Sequence, residues 1–173
     1  MATITLKGTP IHTMGHLPQV GRIAPPFRLT AADLSDAGLE SFKGRKKIIN
    51  IVPSLDTGVC AASARRFNLE VSKLNNVALL NISADLPFAQ KRFCDSESLK
   101  NIFTLSTMRS LSFGKDYGVQ IIDGPLAGLM SRAVLVLDTD NKIIYAEQVS
   151  EIAQEPNYAA ALTAIRKCFS TRK

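Results

Sequence analysis

The chain has no tryptophan, two histidines, three cysteines and 6% aromatic residues. Each scarcity removes a class of function. Both histidines, His12 and His16, lie in the first twenty residues among glycine and proline. A cysteine hydrolase needs a histidine base beside its nucleophile, and neither is placed to serve one. Two histidines four apart suit a metal only on a helix, and the scattered cysteines include no short-range ligand pair, so no metal is expected. The histidines read as surface or internally satisfied groups. Cys60, Cys94 and Cys168 cannot all pair within one chain, which excludes a disulfide framework, leaves at least one thiol free and allows at most one bridge. No stretch approaches the roughly 20 apolar residues of a membrane span. Met1 to Val20 has no sustained apolar run of the signal-peptide kind. A cytoplasmic protein off the membrane is the expectation.

What is present is an ordinary globular mix, 46% hydrophobic and 21% charged over 173 residues, which suits one domain, 1–173, with its own core. Basic residues outnumber acidic ones by 21 to 15, for a formal charge of +6. They fall in short separated groups, Arg45-Lys46-Lys47, Arg65-Arg66, Arg166-Lys167 and Arg172-Lys173, without interleaved stacking aromatics. They read as mostly solvated surface charges, and no nucleic-acid partner is expected.

Along the chain, Ile4 and Leu6 alternate with polar neighbours, Lys7 to Pro10 offers turn chemistry and Ile11 to Met14 can return, so an N-terminal β-hairpin is predicted. Pro25 to Leu29 reads as extended, and Asp33 to Phe42 as a polar connection. Ile48 to Val52 is a buried strand that ends at Pro53. Cys60, Ala64, Phe67, Val71 and Leu74 form the stripe of an amphipathic helix, and Val77 to Ile82 is a second buried strand. Ser83-Ala84-Asp85-Leu86-Pro87 caps a second helix, with Pro87 tolerated in its first turn, that runs through Phe88, Phe93 and Cys94. Beyond it come a short strand at Ile102 to Leu105, a short helix within Ser110 to Tyr117 and a loop at Asp123 to Gly128. A hairpin of Ala133–Asp138 and Lys142–Ala146 precedes a final helix with the stripe Tyr158, Ala161, Leu162, Ile165 and Phe169. Crossover, helix, hairpin and helix in this order predict a three-layer α/β fold of thioredoxin type, a mixed sheet flanked by helices.

The first helix opens at Asp56 or Thr57, either of which suits an N-cap, and both choices place Cys60 in its first turn. The thiolate is the nucleophilic form, and the positive end of a helix favours it. A helix terminus contributes about 0.3–2 kcal/mol. Bringing an ordinary thiol from a pKa of about 8.5 to about 6 takes roughly 3.4 kcal/mol. A reactive cysteine here therefore needs a nearby cation from elsewhere in the chain. Without one, Cys60 is a small buried hydrophobe.

Pro53, Thr57 and Cys60, spaced as proline, three residues, threonine, two residues, cysteine, resemble the active-site motif of peroxiredoxins. The run from Pro53 to Ser63 and the segment Ser83-Ala84-Asp85-Leu86-Pro87-Phe88-Ala89-Gln90, leading to Arg92-Phe93-Cys94, are similar to the thiol peroxidase branch of that family. The resemblance implies a thiol-dependent peroxidase with no cofactor, in which Cys60 is peroxidatic and Cys94 resolving through an intramolecular disulfide. It further implies that Thr57 bonds the sulfur and the peroxide, that Pro53 shields the sulfur, and that Arg132 supplies the cation, although Arg132 alone reads equally as a surface arginine before a strand. Alkyl or lipid hydroperoxides as substrates, thioredoxin as reductant and a homodimer belong to the same implication. Leu126, Leu129 and Met130 are candidates to line an apolar substrate site, and Cys168, outside every motif, reads as a spectator thiol. A dithiol reductase is disfavoured because Ala61, Ala62 and Ser63 follow Cys60 where a second cysteine is needed. The rival outside enzymes is a redox-sensing regulatory protein that uses the same disulfide as a signal.

Overall fold

The structure, a computed structural model, describes residues 1–170, with side chains of the last helix as far as Cys168. Strands β1 (Thr3–Leu6) and β2 (Thr9–His12) pair antiparallel as a separate sheet. Lys7 and Gly8 turn between them with φ of 50° and 81°, the doubly positive φ that suits a two-residue hairpin. The main sheet contains β3 (Leu29–Ala31), β4 (Asp36–Ala37), β5 (Lys46–Ile51), β6 (Val77–Ser83), β7 (Phe103–Ser106), β8 (Ala133–Leu137) and β9 (Ile143–Gln148), in the order β4-β3-β7-β6-β5-β8-β9. β5, β6 and β7 run parallel, while β3, β8 and β9 join antiparallel. The helices are α1 (Gly58–Val71), α2 (Pro87–Ser96), the short α3 (Phe113–Asp116) and α4 (Tyr158–Ser170). Among the described residues no helix is long and apolar enough to cross a membrane.

The central strands read as continuous apolar runs because both of their faces are covered. Alternate residues go to opposite sides. Ile48, Leu79, Val134 and Val136 pack with Phe67 and Val71 of α1 and with Ala161, Leu162 and Ile165 of α4. Ile49, Ile51, Leu80, Ile82 and Leu135 pack with Leu39, Phe42, Phe113 and Tyr117 on the other side. The stripe predicted for α1 is buried from Cys60 to Val71. Leu74 lies past the helix end, half-buried against the same cluster. The stripe of α4 is buried at Ala161, Leu162 and Ile165; Phe169 falls outside the described side chains, as do Arg172 and Lys173 outside the described residues.

Two expectations are corrected. Asp33 to Phe42 is not simply a polar connection: it holds the edge strand β4 and a 3₁₀ turn, Leu39–Phe42, that buries Leu39 and Phe42. Its polar positions conceal apolar ones too far apart to form a run. The basic group Arg45-Lys46-Lys47 is not a solvated patch either. β5 starts at Lys46, so Lys46 pairs with Val77 and Lys47 with Ala78 and Leu137, and both side chains are buried. Their long stems lie along apolar surface. Lys47 Nζ donates to Arg45 O at 2.8 Å, and burial lowers its pKa, opposed chiefly by Asp138.

Candidate active site around Cys60

β5 delivers the site. Val52 N still donates to Ile82 O at 3.0 Å, and Pro53, which has no N–H, ends the pairing and is itself buried. The loop that follows folds on Ser54, whose carbonyl accepts from Thr57 N at 3.3 Å and from Thr57 Oγ1 at 3.2 Å. Thr57 is the N-cap of α1 by backbone conformation, yet its side chain makes no capping bond. The first-turn amides thus have no side-chain cap and remain available to a bound oxygen. Cys60, the third residue of α1, is fully buried among Val52, Leu55 and Ala64, with Phe93, Leu99 and Ile102 packed against the group.

A buried cation does lie at the helix start: Arg132, the residue before β8. It is 2% exposed. Its carbonyl accepts from Val149 N at 3.0 Å and Gln148 Nε2 at 2.9 Å. Nε donates to Ile152 O at 2.9 Å, and Nη2 donates to Cys60 Sγ at 3.4 Å. Nη1 is buried and has no hydrogen-bond partner among the described residues. A buried N–H of a cation without an acceptor is costly, so this donor marks where an acceptor oxygen fits beside the sulfur. Cys60 and Arg132 are thus brought together, Pro53 is buried in the loop between β5 and α1, and Thr57 stands one turn before Cys60 with its hydroxyl on Ser54 O.

Cys94 is elsewhere. Phe93 packs against the Cys60 cluster, but Cys94, the next residue, is half-buried in a groove of about 550 Å³ lined also by Ala31, Asp36, Phe42 and Phe103. Burial, and then Asp95, pushes its thiol up to about 11 against the pull of Lys91. The two sulfurs lie in different surroundings. Arg65 of α1 grips Glu97 at the end of α2 through Nε at 2.6 Å and Nη2 at 3.0 Å. Cys168 lies in a third place, a groove between α4 and β9 that includes Lys142, Tyr145 and Lys167. His12 is satisfied by Asp123, at 2.6 Å from Nδ1 and 2.7 Å from its amide.

The redoxin family profile matches residues 19–162. A thiol peroxidase from Mycobacterium bovis is 51% identical over 165 residues, which are 95% of this chain and 99% of that protein. The chain belongs to the redoxin family, as a peroxiredoxin of the thiol peroxidase type. The same fold, with a mixed sheet flanked by helices and a separate N-terminal hairpin, recurs in solved relatives of this peroxiredoxin. A peroxiredoxin-like protein from Aquifex aeolicus superposes with a TM-score of 0.91 at 36% identity, covering 97% of this chain and 98% of its own. A thiol peroxidase from Chromobacterium violaceum gives 0.90 at 26% identity, with 97% of each chain covered.

Three features around the candidate site carry no signal in the sequence. The carbonyl of Ile152 holds the guanidinium, and a backbone acceptor carries no side-chain signal. Glu151 pins the hairpin to that same segment, accepting from Lys7 N, Gly8 N and Thr5 Oγ1. These and other bonds, the Gly8 and Ala153 amides foremost, hold its carboxyl down to about 2. Asp85 does not cap α2 as its place in the sequence predicts: the N-cap is Leu86, with no side-chain bond. The carboxylate instead reaches the loop before Cys60, accepting from Ser54 Oγ at 2.6 Å and Leu55 N at 2.8 Å.

Proposed function

We propose that this thiol peroxidase reduces hydroperoxides at Cys60 and resolves the product through a disulfide with Cys94 of the same chain. The observation that carries the reading is the buried Cys60 sulfur at 3.4 Å from Arg132 Nη2, with Nη1 of the same guanidinium unpartnered among the described residues. The thiolate of Cys60 attacks the terminal oxygen of the peroxide. A sulfur–oxygen bond forms as the oxygen–oxygen bond breaks, the sulfur is oxidised by two electrons to sulfenic acid, and the alkoxide leaves and takes up a proton as alcohol. Charge shifts from the entering sulfur to the leaving oxygen, so the donors must face both. The planar Arg132 fork has that geometry, with Nη2 on the sulfur and Nη1 for the oxygen. The uncapped amide of Cys60 and the hydroxyl of Thr57 serve the same oxygens, and Pro53 keeps water from the sulfur.

Cys94 then attacks the sulfenic sulfur, forming the disulfide and releasing water. Two thiols whose Cα atoms are more than about 7 Å apart cannot bond without backbone movement, and Cys94 faces its own groove, so the start of α1 and the end of α2 unwind for this step. A dithiol restores both cysteines by taking up the disulfide, and thioredoxin is the reductant in this reading. The chain works as a single domain, 1–173, in a cytoplasmic homodimer. Alkyl and lipid hydroperoxides are its substrates in this reading, with half-buried Leu126 as part of an apolar lining. Leu129 and Met130 continue the same loop.

The test is hydroperoxide consumption with thioredoxin present, for wild type and for Cys60→Ser, Cys94→Ser and Cys168→Ser. The reading requires the first variant inactive, the second unable to cycle through thioredoxin normally, and the third within twofold of wild type. Wild type that consumes a single equivalent and stops supports the redox-sensing alternative instead.

A further inference from the structure

We propose that Asp85 is a positioning residue of the peroxidase reaction, whose carboxylate holds the loop beneath Cys60 and ties it to the base of the helix that carries Cys94. The inference rests on the reading above.

An ionised carboxylate is an acceptor-only group with room for several donors, and Asp85 uses it across two segments. On one side it takes Ser54 Oγ at 2.6 Å and Leu55 N at 2.8 Å. Ser54 in turn holds Thr57 by its carbonyl and Asp56 N by its hydroxyl, at 3.1 Å. Leu55 is buried in the group around Cys60. Fixing these two residues therefore fixes both the start of α1 and one wall of the sulfur's surroundings. On the other side Asp85 takes Ser83 Oγ at 2.7 Å, and that hydroxyl oxygen accepts from Gln90 Nε2 at 3.0 Å, a fully buried side chain of α2. Ser106 Oγ donates to the backbone carbonyl of Asp85 at 2.6 Å, which anchors the residue's backbone to β7. A small cleft of about 130 Å³, lined by Leu55, Asp85, Ala89 and Phe93 among others, separates the two cysteine-bearing segments, and Asp85 stands on its wall.

Two consequences follow from one tie. Loosening it lets Leu55 and Thr57 drift, so Cys60 meets the peroxide less often in line with Arg132. It also removes a restraint on separating α1 from α2, so the sulfenic acid reaches Cys94 sooner. At high peroxide the competing fate is a second attack by the sulfenate on peroxide, which oxidises the sulfur by two more electrons to sulfinate and releases alcohol.

The experiment measures two quantities in the full-length chain. One is the second-order rate of Cys60 oxidation by cumene hydroperoxide, per titrated Cys60 thiol. The other is the ratio of Cys60 sulfinate to Cys60–Cys94 disulfide at excess peroxide. Asp85→Asn is expected to lower the first at least tenfold and the second at least threefold. Ser54→Ala, which removes only the loop arm, moves both in the same direction by a smaller factor. Ser83→Ala keeps the first within twofold and lowers the second. A purely structural role reduces the amount of titratable folded protein and leaves both quantities unchanged, and that result overturns the proposal. If Asp85→Asn does not fold, wild-type values for Ser54→Ala overturn it equally. Cys60→Ser run in parallel separates the failures: if it is inert while Asp85→Asn matches wild type, only the role of Asp85 falls, whereas consumption of peroxide by Cys60→Ser removes the underlying reading and this inference with it.

Discussion

Replacing Arg132 by methionine tests the electrostatic core of the site while keeping its apolar stem. The substitution removes the Nη2 contact to Cys60 Sγ at 3.4 Å and the buried, unpartnered Nη1. Hydrogen bonds to charged groups contribute about 1.5–3 kcal/mol each, so losing both raises the barrier by roughly 3–6 kcal/mol. At about 1.4 kcal/mol per tenfold in rate, Cys60 oxidation should slow by about 10²–10⁴. The fold should survive: the Ile152 carbonyl loses its Nε partner, at about 1–3 kcal/mol, but a buried cation no longer has to be desolvated. Arg132→Lys keeps the charge but, lacking a planar fork, cannot hold Ile152 O, the sulfur and a peroxide oxygen together, so it should recover no more than about tenfold. The chain has no tryptophan, so the assay is rapid quenching with a thiol alkylator and mass spectrometry of the Cys60 peptide. Folded Arg132→Met that oxidises within threefold of wild type refutes the reasoning.

Two further predictions concern the second half of the cycle. Burial raises the Cys94 thiol to about 11, and a group whose pKa folding raises contributes stability that is complete below its unfolded value and lost as pH climbs to the folded one. Thermal unfolding of wild type should therefore lose part of its advantage over Cys94→Ala between about pH 9 and pH 11; parallel profiles through that window count against the burial of Cys94. The Arg65–Glu97 pair must part before the end of α2 can unwind, and it is exposed enough for salt to weaken it. Arg65→Ala, or wild type at high ionic strength, should form the disulfide from sulfenic acid several-fold faster, and a rate unmoved by both shows that the pair does not restrain the step.

The placement of Cys60 was legible because its signals are local. A β-branched run stopped by Pro53 and a helical stripe that begins at Cys60 fix a thiol at a helix start, and the structure keeps all of these. A cation beside Cys60 was legible only as a need, since nothing near Arg132 in sequence says that β8 lies beside β5; the family resemblance named Arg132, and the fold puts its guanidinium 3.4 Å from the sulfur. Lys46 and Lys47 misled because charge is usually a surface marker, whereas strand register puts these two inside and their stems tolerate it. Asp85 misled for the opposite reason. An acidic residue just before a helix reads as a cap, but its donors, Ser54 and Leu55, are 31 and 30 residues away in sequence. Local pattern fixes which elements form, and the contacts that turn an element into a site are the ones that cross between them.

The central claim is that one peroxide converts Cys60 and Cys94 of one chain into a disulfide. One equivalent of hydroperoxide, quenching with an alkylator and peptide mapping without reductant test it directly. The account predicts a single intramolecular Cys60–Cys94 link with Cys168 alkylated. Sulfinate at Cys60 with Cys94 fully alkylated, or a link that uses Cys168, contradicts it.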